Sequence, residues 1–580
     1  MPRSMPRLIA RLSCGALIGA ALITASSTSW AQAVPPTLID LRPGRVVPTP
    51  AELAPREKPV TDARDLPPRP VPRELAKPQG ELTLDVRAYE LSPNAPAALL
   101  AALPTLLAPY VGTARSYEDL VNAAADVTRY LQRESGYYLG YAYLPEQPPR
   151  DGIVRIEVLE GRLDRIDYEW GAGLSVGREV IESYLARLKP GEILQVGDIE
   201  RVVFLVNDLR GISARFEVLQ GSQPGSASLL VKVEPDNRWS GKVDADVNGS
   251  RYLGLARFGA LLAGNSLLGR GDSLTVNGLA STSGGLLFGL VGYTLPVGSD
   301  GVKVGSSLSM VRYKLDQGEF PLGVNGDAVT LNGYALYPWL RSRNLNLFVV
   351  GAFDLKNNVD RQASTSSTRQ ITSATVGITG DLRDSLFGGA VSTFDANLAS
   401  GKVRYQDGPQ GGLDDAPQFS KLTLGLNRLQ NLVDGRLMLY AALRGQLALA
   451  NLDTIEQFRI GGPDGVRAFS PGEGTGDSGV VVNLELRLLP PEAWLGRLAR
   501  ETVFSLFYDH GELQFRRDPS RQLASFVKRA TYSGAGLAVA WERPGHYALR
   551  VSLSSRLEGV PKADKQQGNP KLYAQLSKLF

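Results

Sequence analysis

Asp509 and Arg467 are the charged residues of this 580-residue chain whose surroundings most suggest a defined chemical role. Asp509 falls in Val503–Gly511, a segment that alternates with period two. The face opposite Asp509 is apolar and consists of Phe504, Leu506 and Tyr508. Arg467 lies in the glycine-rich stretch Ile460–Gly479. A buried carboxylate needs a cation, and a guanidinium offers it two parallel hydrogen bonds, so these two residues form a candidate pair. The plainer alternative is an exposed loop arginine and a carboxylate that lines a wet channel.

Residues for catalysis or cofactor binding are scarce. Gly476–Gly479 reads Gly-Asp-Ser-Gly, like the nucleophile motif of trypsin-like proteases, but both histidines, His510 and His546, follow Ser478, whereas that family places its base upstream. One cysteine, Cys14, and two histidines leave no credible transition-metal site. The chain has no GxxxxGK phosphate loop, and its net charge of +4 is too small for a typical nucleic-acid binder. We therefore expect no enzyme activity, cofactor, metal, nucleotide or nucleic acid.

The first residues predict export from the cytoplasm. Three arginines precede the apolar run Gly15–Thr24, which is followed by the small-residue site Ala31-Gln32-Ala33. A basic start, a short apolar core and an A-x-A ending define a secretory signal peptide, here residues 1–33. The most apolar later stretch, Ala95–Gly112, is interrupted by three prolines, which favours a packed helix over a membrane span.

The rest of the chain divides into three regions that differ in composition and periodicity. Residues 34–79 form a proline-rich linker, with 12 prolines in 34–78, which leaves no room for a long helix. Residues 80–236 mix helical and strand patterns, and 237–580 are strand-like segments broken by turn residues. The mixed region is predicted to hold two domains, 80–163 and 164–236, each with the order β-α-α-β-β.

The repeated order rests on matching segments of the two domains. The first domain is predicted to contain strand Glu81–Tyr89, helices Ala95–Leu107 and Ser116–Arg133, and strands Tyr138–Leu144 and Ile153–Leu159. The second is predicted to contain strand Arg165–Trp170, helices Arg178–Leu188 and Ile199–Leu209, and strands Ser213–Leu219 and Ser228–Val233. Ser116 is a suitable N-cap for the second helix of the first domain.

The C-terminal region predicts a transmembrane β-barrel. In Leu437–Leu449 the odd positions are largely apolar and the even ones include Arg444 and Gln446, and the chain ends in the amphipathic strand Lys571–Phe580. An apolar outside and a polar inside are typical of outer-membrane barrels, although a soluble β-sandwich also alternates. At about 20 residues for a strand and its connection, the region holds about 16 antiparallel strands.

The segment Tyr143–Ile166 resembles the first periplasmic domain of the TpsB family of two-partner secretion transporters, which are ShlB/FhaC/HecB-like relatives of BamA-type barrels. The family pattern is a proline, a glutamine two residues later, an Asp-Gly turn and a strand that ends in Glu-Gly-Arg-Leu. The matching residues are Pro145, Gln147, Asp151, Gly152, Glu160, Gly161, Arg162 and Leu163. Such β-α-α-β-β units are POTRA domains, and two of them before a barrel resemble the TpsB arrangement.

Two further stretches carry the resemblance into the barrel. Ile460–Gly479 resembles the long inward-folded loop of the superfamily, whose tip carries Val-Arg-Gly-Tyr/Phe. The matching residues are Gly461, Gly462, Val466, Arg467 and Phe469. Ala468 replaces the usual glycine, and because alanine resists positive φ, we expect a tighter or differently turned tip. Phe507, Asp509 and Gly511 resemble the F-x-D-x-G strand motif of the family, with Gly511 leaving room for the loop.

The resemblance implies an outer-membrane transporter with its POTRA domains in the periplasm. Members of the family often place an N-terminal helix in the barrel as a plug, and because residues 34–79 are rich in proline, we expect that plug to be short or absent. The partner of the transporter would be a large, unfolded exoprotein that adds a strand to a POTRA edge, either Tyr138–Leu144 or Ser213–Leu219, and then threads the barrel without ATP. Outer-membrane lipid is a second expected partner, and this mechanism is also compatible with periplasmic chaperones as partners. The alternatives are a BamA- or TamA-type assembly factor, which would insert proteins into the membrane, and a passive porin, which would leave the POTRA domains without a purpose.

Overall fold

The computed structural model describes residues 74–78, 83–148, 151–318, 323–363, 365–407, 416–433, 435–518 and 528–580. The predicted signal peptide, 1–33, and the predicted linker, except 74–78, lie outside the described residues. The described chain forms two compact units, one ending at Asn237 and including 268–271, the other comprising 238–267 and 272–580. Among the described residues no helix is long and apolar enough to cross a bilayer.

The first α+β domain contains five strands and two α-helices. They are β1 Thr83–Val86, β2 Ala88–Leu91, α1 Ala97–Leu106, β3 Gly112–Ser116, α2 Tyr117–Arg133, β4 Tyr141–Tyr143 and β5 Ile153–Leu159. The central sheet has the order β2-β5-β4, and β1 pairs separately with β3. The prediction of one strand over Glu81–Tyr89 was wrong, because the chain changes partners at Arg87. The short strand β3 was missed.

Helix α2 begins where the sequence placed it. The Ser116 side chain accepts the Asp119 N–H at 3.2 Å, and the Asp119 carboxylate accepts the Ser116 N–H at 2.9 Å, which completes a capping box. That hydrogen bond from the Ser116 backbone holds the pKa of Asp119 below its usual value. The buried face of α2 includes the predicted residues Leu120, Ala124, Val127 and Leu131.

The second α+β domain repeats the predicted order. It comprises β6 Arg162–Trp170, α3 Arg178–Leu185, α4 Val196–Asn207, β7 Ile212–Gln220 and β8 Ser226–Pro235. Its sheet has the order β6-β8-β7, with β6 parallel and β7 antiparallel to β8. The two domains pack closely within their unit, since the Tyr138 N–H donates to the Leu194 carbonyl at 2.8 Å and Leu139 joins the second domain's core.

Sixteen antiparallel strands close into a barrel, as predicted, with the last strand paired to the first. They are β9 Trp239–Asp246, β10 Arg257–Asn265, β11 Ser273–Ser281, β12 Leu286–Val297, β13 Val302–Lys314, β14 Asn325–Arg341, β15 Leu345–Gln362, β16 Thr365–Asp384, β17 Ala390–Asp407, β18 Gln418–Val433, β19 Leu437–Ala448, β22 Ser478–Leu488, β23 Thr502–Gln514, β24 Arg529–Arg543, β25 Tyr547–Glu558 and β26 Lys571–Leu579. The two-residue strands β20 Phe458–Arg459 and β21 Thr475–Gly476 lie in the connection between β19 and β22.

The side chains alternate between the outside and the lumen. On β22 the leucines Leu484 and Leu486 are exposed, whereas Glu485 and Arg487 are fully buried inside. On β23 Leu506 and Tyr508 face out, while Phe507 and Asp509 face in. An apolar exterior around a charged interior is the opposite of a soluble sandwich, so that alternative is wrong. Because the barrel is closed, none of its sixteen strands lies at a free sheet edge.

Candidate functional site

The connection between β19 and β22, residues 449–477, folds into the barrel interior. Its two arms pair where β20 meets β21. Its side chains Ile460, Val466, Ala468 and Phe469 form one buried cluster with wall residues of β22, β23 and β24. Apolar packing against three adjacent strands therefore fixes the tip of this inward loop.

Arg467, at the loop tip, is 2% exposed and binds Asp509 of β23 from three donors. Its Nη2 and Nε donate to the two carboxylate oxygens at 2.6 and 2.8 Å, and its backbone N–H donates at 3.0 Å. The structure thus brings together the two residues that the sequence singled out. Because both groups are desolvated, this pair depends on complete hydrogen bonding to be stable.

A second carboxylate completes the charge balance. Arg467 Nη1 donates to Glu485 Oε1 at 2.6 Å, and the other oxygen of Glu485 accepts from Arg487 Nη2 at 2.6 Å. Two guanidinium groups and two carboxylates thus form a neutral buried cluster, which we call the tip clasp. Glu485 and Arg487 were not identified as site residues from the sequence. Their spacing of two on one face was the available signal.

Neutral side chains support the tip clasp. The Arg467 guanidinium carbon lies 3.5 Å from the centroid of the Phe507 ring, a cation–π contact. Asn483 donates to Asp509 Oδ1 at 2.7 Å and to the Gly465 carbonyl at 2.8 Å. Gly511 makes room for the loop, since a Cβ there would lie 2.7 Å from a methyl carbon of Ile460. It is a loop side chain, rather than the loop backbone, that approaches most closely.

The loop turn around Ala468 is adapted to that alanine. A Cβ at Gly461 would lie 2.5 Å from the Ser470 carbonyl oxygen, and Gly462 has a φ of +120°, so both glycines are required. Ala468 is not among the described non-glycine residues with positive φ. Its methyl group faces Gly534 of β24, where a Cβ would come within 2.4 Å of the Ala468 Cβ. A wall glycine thus accommodates the methyl group that the family's glycine would lack.

The far side of the tip is held by the last two strands and their connection. Tyr573 Oη donates to the Phe469 carbonyl at 2.7 Å, and Ser554 Oγ donates to the Arg467 carbonyl at 2.7 Å. Gln567 accepts the Ser470 N–H at 2.7 Å and donates to the Ala468 carbonyl at 3.1 Å. These contacts satisfy the hydrogen-bonding groups of the tip backbone, whose residues are buried.

A separate group of charged side chains binds the arm of the loop that runs from β19 to the tip, which we call the descending arm. Glu456 binds Lys356 of β15 at 2.6 Å and Lys421 of β18 at 2.9 Å. Asp453 binds Arg369 of β16 at 3.0 Å. All of these side chains except the partly buried Lys421 are almost fully buried. We call this group the stem clasp, and sequence reasoning missed it entirely.

Among the described residues, no group of three or more histidine, cysteine, aspartate or glutamate side chains is arranged to hold a metal ion. The loop residues Arg467, Glu456 and Asp453 form ion pairs with charged side chains of the barrel wall. What the arrangement does chemically is hold a long loop inside a cylinder through two charged clusters.

Residues 225–538 match the family of haemolysin secretion/activation proteins ShlB/FhaC/HecB. The chain belongs to this family. Residues 84–161 match the ShlB-type POTRA domain. The protein is therefore a two-partner secretion transporter of the outer membrane, with its POTRA domains in the periplasm, and its family consists of transporters rather than enzymes.

Similar proteins agree with this membership. The chain is 27% identical to the heme/hemopexin transporter protein HuxB of Haemophilus influenzae, over 80% of this chain and 82% of that protein. It is 26% identical to the outer membrane transporter CdiB of Dickeya dadantii, over 75% of this chain and 77% of that protein. The solved structure of CdiB from Escherichia coli superimposes with a TM-score of 0.69 at 20% identity, covering 90% of this chain and 95% of CdiB.

Several motif residues of the first POTRA domain lie at the edge of its sheet or in the turn that leads into β5. Gln147 accepts the Arg155 N–H and donates to the Arg155 carbonyl, both at 2.8 Å. Its amide thus continues the pairing of β5 beyond the short strand β4, as a further strand residue would. Pro145 forms a β-bridge with Glu74. Asp151 and Gly152 both have positive φ, in the turn that leads into β5.

The Glu160-Gly161-Arg162 part of the motif lies at the junction of the two POTRA domains. A Cβ at Gly161 would lie 2.6 Å from the Leu139 Cβ, and the Gly161 carbonyl accepts the Leu194 N–H at 3.0 Å. Arg162 binds Glu160 at 2.6 Å and donates to the Gly191 carbonyl at 2.7 Å. These contacts therefore help to fix the angle between the two domains.

Proposed function

We propose that the inward loop is the gate of the transport path and that gating requires the docked position in which the tip clasp holds the loop. The observation that carries this proposal is the burial of a neutral four-charge cluster between the loop tip and the barrel wall. A partner chain in transit needs the space that the loop occupies. Since the chain has no GxxxxGK phosphate loop, we further propose that folding of the partner outside the cell biases the direction of transport.

We propose that the partner, an unfolded exoprotein, first adds a strand to β7 of the second POTRA domain. Both strands that the sequence nominated lie at sheet edges. The edge of β4 is only three residues long and is partly covered, since the Leu75 N–H donates to the Leu144 carbonyl at 2.8 Å. Strand β7 has nine residues and is the longer docking site.

The open part of β7 lies beyond Ala214. The Asn207 side chain occupies both backbone groups of Ala214, at 2.9 and 3.0 Å. By the alternation of a strand, the backbone groups of Phe216 and Val218 point to the same edge. Main-chain hydrogen bonds there would give affinity without demanding one partner sequence.

A photo-crosslinking amino acid distinguishes the two edges. Leu219 of β7 is 43% exposed and Tyr141 of β4 is 37% exposed, so they form a matched pair. During secretion, the partner should crosslink to the residue at position 219 and not to that at 141. Capture at 141 alone would move the docking site to the first domain, and capture at neither would remove strand addition at these two edges from the mechanism.

We also propose the processing implied by the N-terminal sequence, with residues 1–33 removed as a signal peptide and 34–79 leading into the first POTRA domain. The basic residues, the apolar run and the Ala31-Gln32-Ala33 site support it. N-terminal sequencing of the protein purified from outer membranes should begin at Val34.

A further inference from the structure

The connection between β22 and β23, residues 489–501, is longer than a hairpin of adjacent strands requires. Tight hairpins need about two to five residues. The POTRA domains are periplasmic and β9 follows β8 after residues 236–238, so β9 starts at the periplasmic end. The antiparallel order then places this connection at the same end, together with 266–272, 298–301, 342–344, 385–389, 434–436 and 544–546. Each of those connections is shorter.

This segment forms helix α5, Glu492–Leu495, and a following 3-10 helix, Gly496–Glu501. We call residues 489–501 the foot. Trp494 is 65% exposed and Leu498 52% exposed, while Ala499 is buried. The large apolar side chains thus point away from the protein and the small one points toward it. An exposed apolar surface on a short helix indicates contact with another apolar phase.

The foot is rigidly attached to the barrel. The Leu489 N–H donates to the Arg436 carbonyl at 2.8 Å, Thr502 Oγ1 donates to the Leu498 carbonyl at 2.8 Å, and Trp541 Nε1 donates to Glu501 Oε2 at 3.0 Å. Its outward direction is therefore set by the fold. The foot also joins the two strands that carry Glu485 and Asp509, the acids of the tip clasp.

Exposed aromatic side chains also lie at or near the periplasmic ends of other barrel strands. They are Trp239, Tyr337, Trp339, Phe387, Tyr547 and Phe580. Aromatic residues concentrate at the interface between headgroups and acyl chains. The foot lies at the same end of the barrel as these aromatic side chains, and its arginines Arg497 and Arg500 are both exposed. Arg500 also contacts Glu492 at 2.6 Å.

We propose that the foot is a phospholipid-binding surface, in which Trp494, Leu495 and Leu498 enter the periplasmic leaflet and Arg497 binds the phosphate of an anionic lipid. The chemistry fits both parts of this leaflet. Apolar side chains replace water with acyl chain, and a guanidinium presents a fork of donors to phosphate oxygens. This proposal stands independently of the gate and of the POTRA docking edge.

Depth-dependent quenching tests the first part. The full chain with Cys14→Ser, carrying a single cysteine in place of Trp494 or Leu498, is labelled with a polarity-sensitive fluorophore. It is reconstituted into vesicles of phosphatidylethanolamine and phosphatidylglycerol. Leu506→Cys, on the lipid face of β23, and Lys189→Cys, on an exposed POTRA surface, are the lipid and water controls.

Labels at 494 and 498 should show blue-shifted emission, quenching by lipid-borne nitroxide and loss of iodide quenching, as at 506. Iodide quenching equal to that at 189 would overturn the proposal. Shielding from iodide in native membranes but not in vesicles would also overturn it, because a protein would then be the occupant.

The phosphate contact has its own readout. With the label at 498, nitroxide on the phosphatidylglycerol headgroup should quench more than the same nitroxide on a zwitterionic lipid. Arg497→Gln should abolish that difference while leaving acyl-chain quenching unchanged. Equal quenching by the two headgroups in the parent protein would show that no anionic lipid is bound at Arg497.

Discussion

At the scale of single residues, the tip clasp explains why the inward loop has one defined position. Burial removes the hydration of four charges, and only complete pairing compensates for that loss. Arg467 uses its backbone N–H and three guanidinium nitrogens at once. Lysine has neither the planar fork nor enough directed donors to replace it.

Arg467→Ala should leave the barrel inserted but greatly reduce secretion of the partner. Loss of one partner from a buried ion pair costs about 3–5 kcal/mol, which corresponds to roughly a hundredfold or more in the population of the docked loop. Arg467→Lys should be intermediate. The measurement is the amount of partner in the medium, together with barrel content of the outer membrane.

The matched control is Arg312→Ala, which removes an exposed arginine with the same 2.8 Å contact to an aspartate. An exposed pair contributes about 0–1 kcal/mol, so secretion should stay normal. Normal secretion by Arg467→Ala as well would show that the tip clasp has no part in transport.

The complementarity of Ala468 and Gly534 predicts a reversible defect. Gly534→Ala places two methyl groups in one space, since the added Cβ would lie 2.4 Å from the Ala468 Cβ. Such overpacking costs about 1–3 kcal/mol and should expose the loop to protease added from outside. Ala468→Gly in the same chain should restore protection. If the double variant is cleaved as fast as Gly534→Ala, the two sites are not in contact.

At the scale of elements, local patterns predicted the helices and strands better than they predicted which segments pair or pack with one another. The capping residue and apolar stripe of α2 were visible, because both signals lie within a few turns of the chain. Strand β3 was missed because it pairs only with four-residue β1 and leaves no periodicity long enough to detect. The stem clasp was missed because Lys356 and Glu456 are far apart in sequence and meet only when the loop folds into the barrel.

The stem clasp predicts that the loop has a second, separately breakable attachment. Glu456→Gln would leave Lys356 and Lys421 facing a neutral amide, at a cost of about 3–5 kcal/mol for a broken buried pair. The descending arm should then detach while the tip clasp remains. Single-channel recordings in planar bilayers should show higher conductance, with Arg467 contacts intact.

Two variants make this result interpretable. Glu512→Gln neutralises an exposed carboxylate on β23 and should leave conductance unchanged. Adding Lys356→Met to Glu456→Gln removes one unpaired charge and should return conductance toward that of the parent. Unchanged conductance in Glu456→Gln would mean that the stem does not restrict the pore.

At the scale of the whole molecule, the sequence predicted the sixteen-strand barrel because a lipid exterior imposes alternation on every strand. It predicted the pair Arg467 and Asp509 because a charge on the inner face needs a counter-charge. It did not predict that Glu485 would join this pair, because Glu485 differs from other inward-facing polar residues only in its position around the barrel. The closed cylinder, rather than any local pattern, decides that neighbour.

A transporter with one gated path and two POTRA domains should serve one partner class. Deleting this chain should remove a large exoprotein from the medium and leave the other outer-membrane barrels at normal levels, as measured by quantitative proteomics of both fractions. An assembly factor would instead cause broad loss of barrel proteins. Expression of the intact chain in the deletion strain should restore export. Expression of the Arg467→Ala variant should not, because its loop is no longer held by the tip clasp. Broad barrel loss on deletion would assign the same fold to insertion rather than secretion.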